Sequence, residues 1–193
     1  LYYADRGQTI LGEQGYVGDT PQIAWAHATL CHNLVVVDDQ EQLFWKRWGD
    51  PPGTPGARNP SFRWMVTGPR LSAVEAASQA YAQCREYRRL AVLFKGPGAE
   101  TFALDIFRVR GGRKHAYRLF SELAASGAAG GRLVCDGVRL PPARPLPRFG
   151  ASLATEHVFG LRDLRRAAAP PAAWFATWRE RGRAYRLRVL SAA

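Results

Sequence analysis

The chain has 193 residues, enough for one substantial core and too few for two ordinary domains. Its composition, 47% hydrophobic and 22% charged with Trp 6, Tyr 7 and Phe 9 spread along the chain, excludes a disordered tail. The net charge of +11 suits an anionic partner, whether nucleic acid, an anionic lipid surface or an acidic polysaccharide. Only Lys46, Lys95 and Lys114 are lysines, so nearly all the positive charge is arginine, the side chain that grips carboxylate or sulfate as a fork. A GC-rich genome would explain the same arginines without any ligand.

Taken in chain order, the apolar residues come in short runs or alternate, which is strand behaviour. Val35 to Val37 is an apolar run bounded by polar residues. GDPPGTPGARNP, residues 49–60, reads as a loop. Phe62, Trp64 and Val66 then alternate with Arg63, Met65 and Thr67. Residues 71–83, LSAVEAASQAYAQ, are alanine-rich and tempt a helix assignment, but Val74, Ala76, Ser78, Ala80 and Ala82 also fit a period of two. The segment runs into the β-rich stretch Tyr87 to Phe94, and a strand is expected there. Phe102 to Val109 is a long strand ending at Gly111-Gly112, a pair suited to a hairpin turn, with Lys114 to Phe120 expected as the returning strand. PPARPLPRFG, residues 141–150, is a second loop, and Ala173 to Arg179 and Ala184 to Leu190 flank a turn at Arg181-Gly182. Many short strands without βαβ alternation predict an all-β fold, a large antiparallel β-sandwich formed as one domain over residues 1–193.

Few residues suggest chemistry. Cys31, Cys84 and Cys135 form no CxxC pair, so neither a zinc knuckle nor a disulfide framework is indicated. No run of 18 apolar residues is present, and no membrane partner is expected. There is no GxSxG, P-loop, HExxH or GxGxxG motif. RVRGGRKHAY, residues 108–117, is basic, but it lacks the interleaved stacking aromatics of a nucleic-acid-binding sheet, and no nucleic-acid partner is expected. His27 and His32 are five apart, which places them on opposite faces of a strand, so they do not share a metal. If His32 binds a metal, its local partner is Glu13 in the preceding GEQGY turn. The alternative is a satisfied structural histidine. Asn33 likewise reads as a strand-edge amide bonding a neighbouring loop.

Three stretches carry a resemblance. GEQGYVGDTPQIAWAHATLCHNLVVVDDQEQ resembles the part of the heparinase II/III-like polysaccharide lyases in which a D-x-G turn precedes an HNT-V-x-V-D-G-x-x-Q strand. LDIFRVRGGRKHAY, residues 104–117, resembles that family's D-x-F-R-V-x-G-G-x-x-H-x-Y segment, and AAWFATWRERGRAYRLRVL, residues 172–190, its closing pair of strands.

The resemblance implies the β-sandwich portion of a two-part enzyme, truncated at its N-terminus and also at its C-terminus, whose other part is an N-terminal α/α toroid. The implied activity is cleavage of an acidic, uronate-containing polysaccharide by β-elimination, in the periplasm or outside the cell. The catalytic groups of the family fall upstream of Leu1, so no catalytic residue is carried over and the isolated chain is expected to be inactive. His32 matches a metal ligand of zinc-containing members, and Glu13 falls where those members carry an aspartate ligand. A structural zinc would need a further histidine from upstream. Trp25 and Tyr16, between the two metal positions, are the candidate substrate-binding residues. The chain departs from the pattern at Asp39, where glycine is usual, at Leu34 for threonine, and at Ser121 for a second histidine. The rival expectation is a non-catalytic β-sandwich module that binds anionic glycan or serves as a structural platform.

Overall fold

The computed structural model describes residues 3–5, 7–12, 26, 28–43, 58–98, 100–120, 132–135, 173–180 and 183–190. Over these residues the chain is all-β, as the alternation predicts: eleven strands, all paired antiparallel, with one 3-10 turn. They fall into two compact units, Leu34–Arg118 and a second unit made of Leu1–Asn33 with Leu119–Ala193.

In the second unit, strands β1 (Tyr3–Asp5) and β2 (Gln8–Leu11) pair across a turn in which Gly7 takes φ +77°. The 3-10 turn Thr29–Cys31 is buried throughout. Strands β9 (Arg132–Cys135), β10 (Trp174–Glu180) and β11 (Arg183–Val189) form a sheet in the order β11-β10-β9. On it, Phe175 lies beneath the guanidiniums of Arg186 and Arg188, at 5.2 and 5.5 Å from its ring centre. The two closing strands start and stop within a residue of expectation; the turn at 181–182 and the loop 141–150 lie outside the described residues.

The unit Leu34–Arg118 holds strand β3 (Val35–Val37), the meander β4 (Arg58–Thr67), β5 (Leu71–Gln79), β6 (Cys84–Lys95) and β7 (Thr101–Gly111), and strand β8 (His115–Tyr117). Of the alanine-rich segment, Leu71–Gln79 is strand β5, because both of its flanks are hydrogen-bonded to β neighbours along nearly its whole length, whereas residues 80–83, also expected as strand, lie in the connection to β6. Tertiary pairing here overrides the helix propensity of alanine. Residues 58–60, expected within a loop, already belong to β4, where Pro60 is tolerated because β4 is the edge of the described sheet.

One expectation is corrected. The strand after Gly111-Gly112 does not return along β7 but crosses to β3, with Val35 opposite Tyr117 and Val37 opposite His115. Both glycines have positive φ, +109° and +74°, and a Cβ on Gly112 would overlap the Val37 side chain. The pair therefore serves as a crossover joint at which the chain leaves one sheet for another.

Directly opposed residues share a face, so the register sorts the meander. One face carries Tyr87, Phe107 and Val109, which pack with Val35, Val37, Ala80 and Tyr81 into the core of this unit. The Tyr87 ring lies between Tyr81 and Phe107 at centroid distances of 5.4 and 5.5 Å, and its hydroxyl donates to the Val35 carbonyl at 2.8 Å. Beside the core, Arg89 grips Asp105 with two 2.7 Å hydrogen bonds and covers the Phe107 ring, while the Tyr117 hydroxyl donates to the same carboxylate. The opposite face presents Trp64, Val66, Leu71, Leu104 and Ile106, all partly open to solvent, followed towards the other end by Arg88 and Arg108.

Candidate functional site: an arginine-lined groove

Alternation alone would send Arg63 and Arg85 to the core-bearing face of the meander. Two β-bulges prevent it. The register shifts between Phe62, opposite Ala76, and Trp64, opposite Glu75, which leaves Arg63 as the extra residue. A second shift, between Cys84, opposite Gly111, and Glu86, opposite Arg110, leaves Arg85 extra on β6. A bulge re-aims the side chain it inserts. Both arginines line an open groove of about 630 Å³ at the end of the sheet, together with Ser61, Arg88, Arg110 and Glu86.

Four guanidiniums thus face one carboxylate in the groove lining. Glu86 bridges two of them, with Oε1 3.0 Å from Arg88 Nε and Oε2 3.0 Å from Arg110 Nε. The Arg88 contact has the distance of an ion pair without hydrogen-bond alignment, and the buried Arg88 Nε–H has no hydrogen-bond partner. Glu75, only 8% exposed, lies 3.7 Å from the same nitrogen. Such a site offers planar donor forks and excess positive charge, the chemistry that recognises carboxylate and sulfate groups. Trp64, at 45% exposure, stands one residue pair further along the same face and offers a flat apolar surface.

Of the candidate site residues His32, Glu13, Tyr16 and Trp25, only His32 is among the described residues. His32 caps the 3-10 turn in an extended conformation, half-buried, with its N–H donating to Thr29 O at 3.2 Å. Glu13, Tyr16 and Trp25 lie outside the described residues. Among the described residues no three His, Cys, Asp or Glu side chains come together as a metal-ligand set. His32 can supply one imidazole ligand, and the carboxylate expected beside it, Glu13, lies outside the described residues. Asn33 is 1% exposed and structural: its Nδ2 donates to Gly12 O at 2.9 Å and its Oδ1 accepts from Phe120 N at 2.5 Å. His115 donates from Nε2 to Gly111 O at 2.7 Å across the glycine joint.

Asp38 and Asp39 sit at φ +54° and +53°. Asp39 therefore occupies a conformation that favours glycine, the residue usual at that point of the resembled motif. The strained turn is held by side-chain bonds. Asp38 Oδ1 accepts from the backbone N–H groups of Arg113 and Lys114 at 2.7 and 2.8 Å, and Lys114 Nζ meets Asp39 Oδ2 at 2.6 Å. Those two N–H bonds hold the Asp38 carboxyl below its usual range.

The tyrosines of this unit are poor proton acceptors. Burial pushes the Tyr87 hydroxyl up to about 12, and burial also raises Tyr81 and Tyr117, the latter further by its bond to Asp105. None of the three is tuned to take a proton near neutral pH.

No family model, curated protein or solved structure matches the chain. No described helix is long and apolar enough to cross a membrane.

Proposed function

We propose that the chain is the β-sandwich portion of a heparinase II/III-like lyase that cleaves uronate-containing polysaccharide by β-elimination. Its own part is to hold the anionic polymer on the arginine-lined groove. The observation that carries the reading is the placement of Arg63 and Arg85 by two separate bulges beside Arg110, so that three guanidiniums converge on one open surface. In this reading the groove binds carboxylates through charge-assisted hydrogen bonds, and Trp64 offers its ring to a sugar face. The proton-abstracting groups belong to the toroid that the resemblance implies, and the location is periplasmic or extracellular. A zinc held by His32 and Glu13 with a further histidine would be structural in the same scheme. The rival, a glycan-binding module without an enzyme attached, rests on the same groove.

Binding to polygalacturonate, alginate and heparin, with uncharged dextran and single-stranded DNA as comparisons, tests the reading by calorimetry on the full chain. The expected result is binding to the acidic polysaccharides alone, weakening with salt and lost in the Arg63→Ala/Arg85→Ala double variant. Equal binding to dextran, or tighter binding to DNA, overturns it. The two forms separate on the gene's complete product: absorbance of an unsaturated uronate product supports the lyase, and its absence across the same panel supports the module.

A further inference from the structure

The two ion pairs of Glu86 are unequal. Its Arg110 partner is 69% exposed and has no second carboxylate among the contacts described, whereas the Arg88 side chain is 26% exposed and lies between Glu86 and the buried Glu75. An exposed pair adds little net stability and yields readily to a competing anion. A partly buried cation held from two sides does not, because removing a carboxylate leaves charge uncompensated. Arg88 is therefore the fixed member of the trio and Arg110 the movable one.

We infer that Glu86 is a built-in competitor that makes the groove selective for polymers. In the empty groove Glu86 neutralises part of Arg88 and Arg110. A single carboxylate arriving at Arg110 must displace Glu86 and gains only one fork in return. A polyanion displaces it while also engaging Arg63 and Arg85, which have no carboxylate partner among the described contacts, so the one lost ion pair is offset at several sites. This inference rests on the groove being the polyanion site proposed above.

Calorimetric titration of the full chain with free galacturonate and with polygalacturonate tests it, using wild type, Glu86→Gln, Glu86→Asp and Glu86→Gln/Arg110→Ala. The neutral variant keeps the shape of the side chain and is expected to bind the polymer up to about fivefold more tightly, the gain from freeing Arg110 of one exposed ion pair. It is also expected to bind free galacturonate measurably where wild type does not. Glu86→Asp should behave as wild type, and in the Arg110→Ala background the gain should disappear. Polymer binding by wild type with no gain in Glu86→Gln overturns the role of Glu86 and leaves the groove reading standing. No polymer binding by wild type overturns both. A gain that persists without Arg110 shows general electrostatics in place of competition for that cation and overturns the inference.

Discussion

Replacing Asn33 by alanine removes both ends of a buried bridge, between the Gly12 carbonyl at the end of β2 and the Phe120 N–H beyond β8. Asn33 is 1% exposed and Gly12 is buried, so water does not readily replace the lost partners. A buried polar group left without a partner costs about 1–3 kcal/mol, so two of them cost about 2–6 kcal/mol. At roughly 2–4 °C per kcal/mol for a chain of this size, the melting temperature falls by about 10 °C for a loss near the middle of that range. Urea unfolding followed by tryptophan fluorescence measures the free energy, and hydrogen exchange at the Phe120 amide reads the bridge locally. A loss under about 0.5 kcal/mol, the size of an ordinary surface change, with unaltered Phe120 exchange would refute the bridge. The asparagine of the resembled motif would then need another explanation.

Two further outcomes concern pH. Tyr81, Tyr87 and Tyr117 are raised in the folded chain, Tyr87 from 10.0 to about 12, so the unfolded chain loses its phenolic protons first. Stability is therefore fully present below pH 10 and declines as pH rises through the folded values. The urea midpoint should fall in that window, less steeply in Tyr117→Phe, and a midpoint independent of alkaline pH contradicts the burial of Tyr81 and Tyr87 and the Tyr117 bond to Asp105. Asp38 is shifted the other way, so its contribution is present above the ordinary carboxylate value of 3.8 and lost as pH falls through the lower folded one. Asp38→Asn should flatten the acid limb of the stability profile below pH 3.8, and an unchanged limb argues against the Arg113 and Lys114 contacts.

The strands were legible because burial follows backbone alternation. Val35 to Val37 and the long run ending at Gly111 sit where the apolar pattern puts them, and even the alanine-rich stretch resolves as strand once its period of two is weighed. Alternation does not name a strand's neighbour, so the pattern alone puts residues 114–120 beside β7, whereas β8 pairs with β3. The groove was hidden for a related reason. A bulge adds one residue without any mark in the apolar pattern, so the faces reached by Arg63 and Arg85 emerge only from the pairing register. Glu13, Tyr16 and Trp25 belong to the stretch outside the described residues.

The crossover at Gly111-Gly112 also orders events in time. The hairpins of the meander join neighbours in sequence and can close early, whereas the Asp38 contact with Arg113 spans 75 residues and has no footing until β7 is in place. Joining β3 to β8 then becomes the late step of assembly, and the two glycines its hinge. Because a Cβ at position 112 would meet Val37, a side chain there penalises that closing step while leaving the meander free to form. Newly made chains altered at this joint would accumulate as a four-stranded sheet whose core face waits for β3, a species with Tyr87 and Phe107 open to solvent and prone to association.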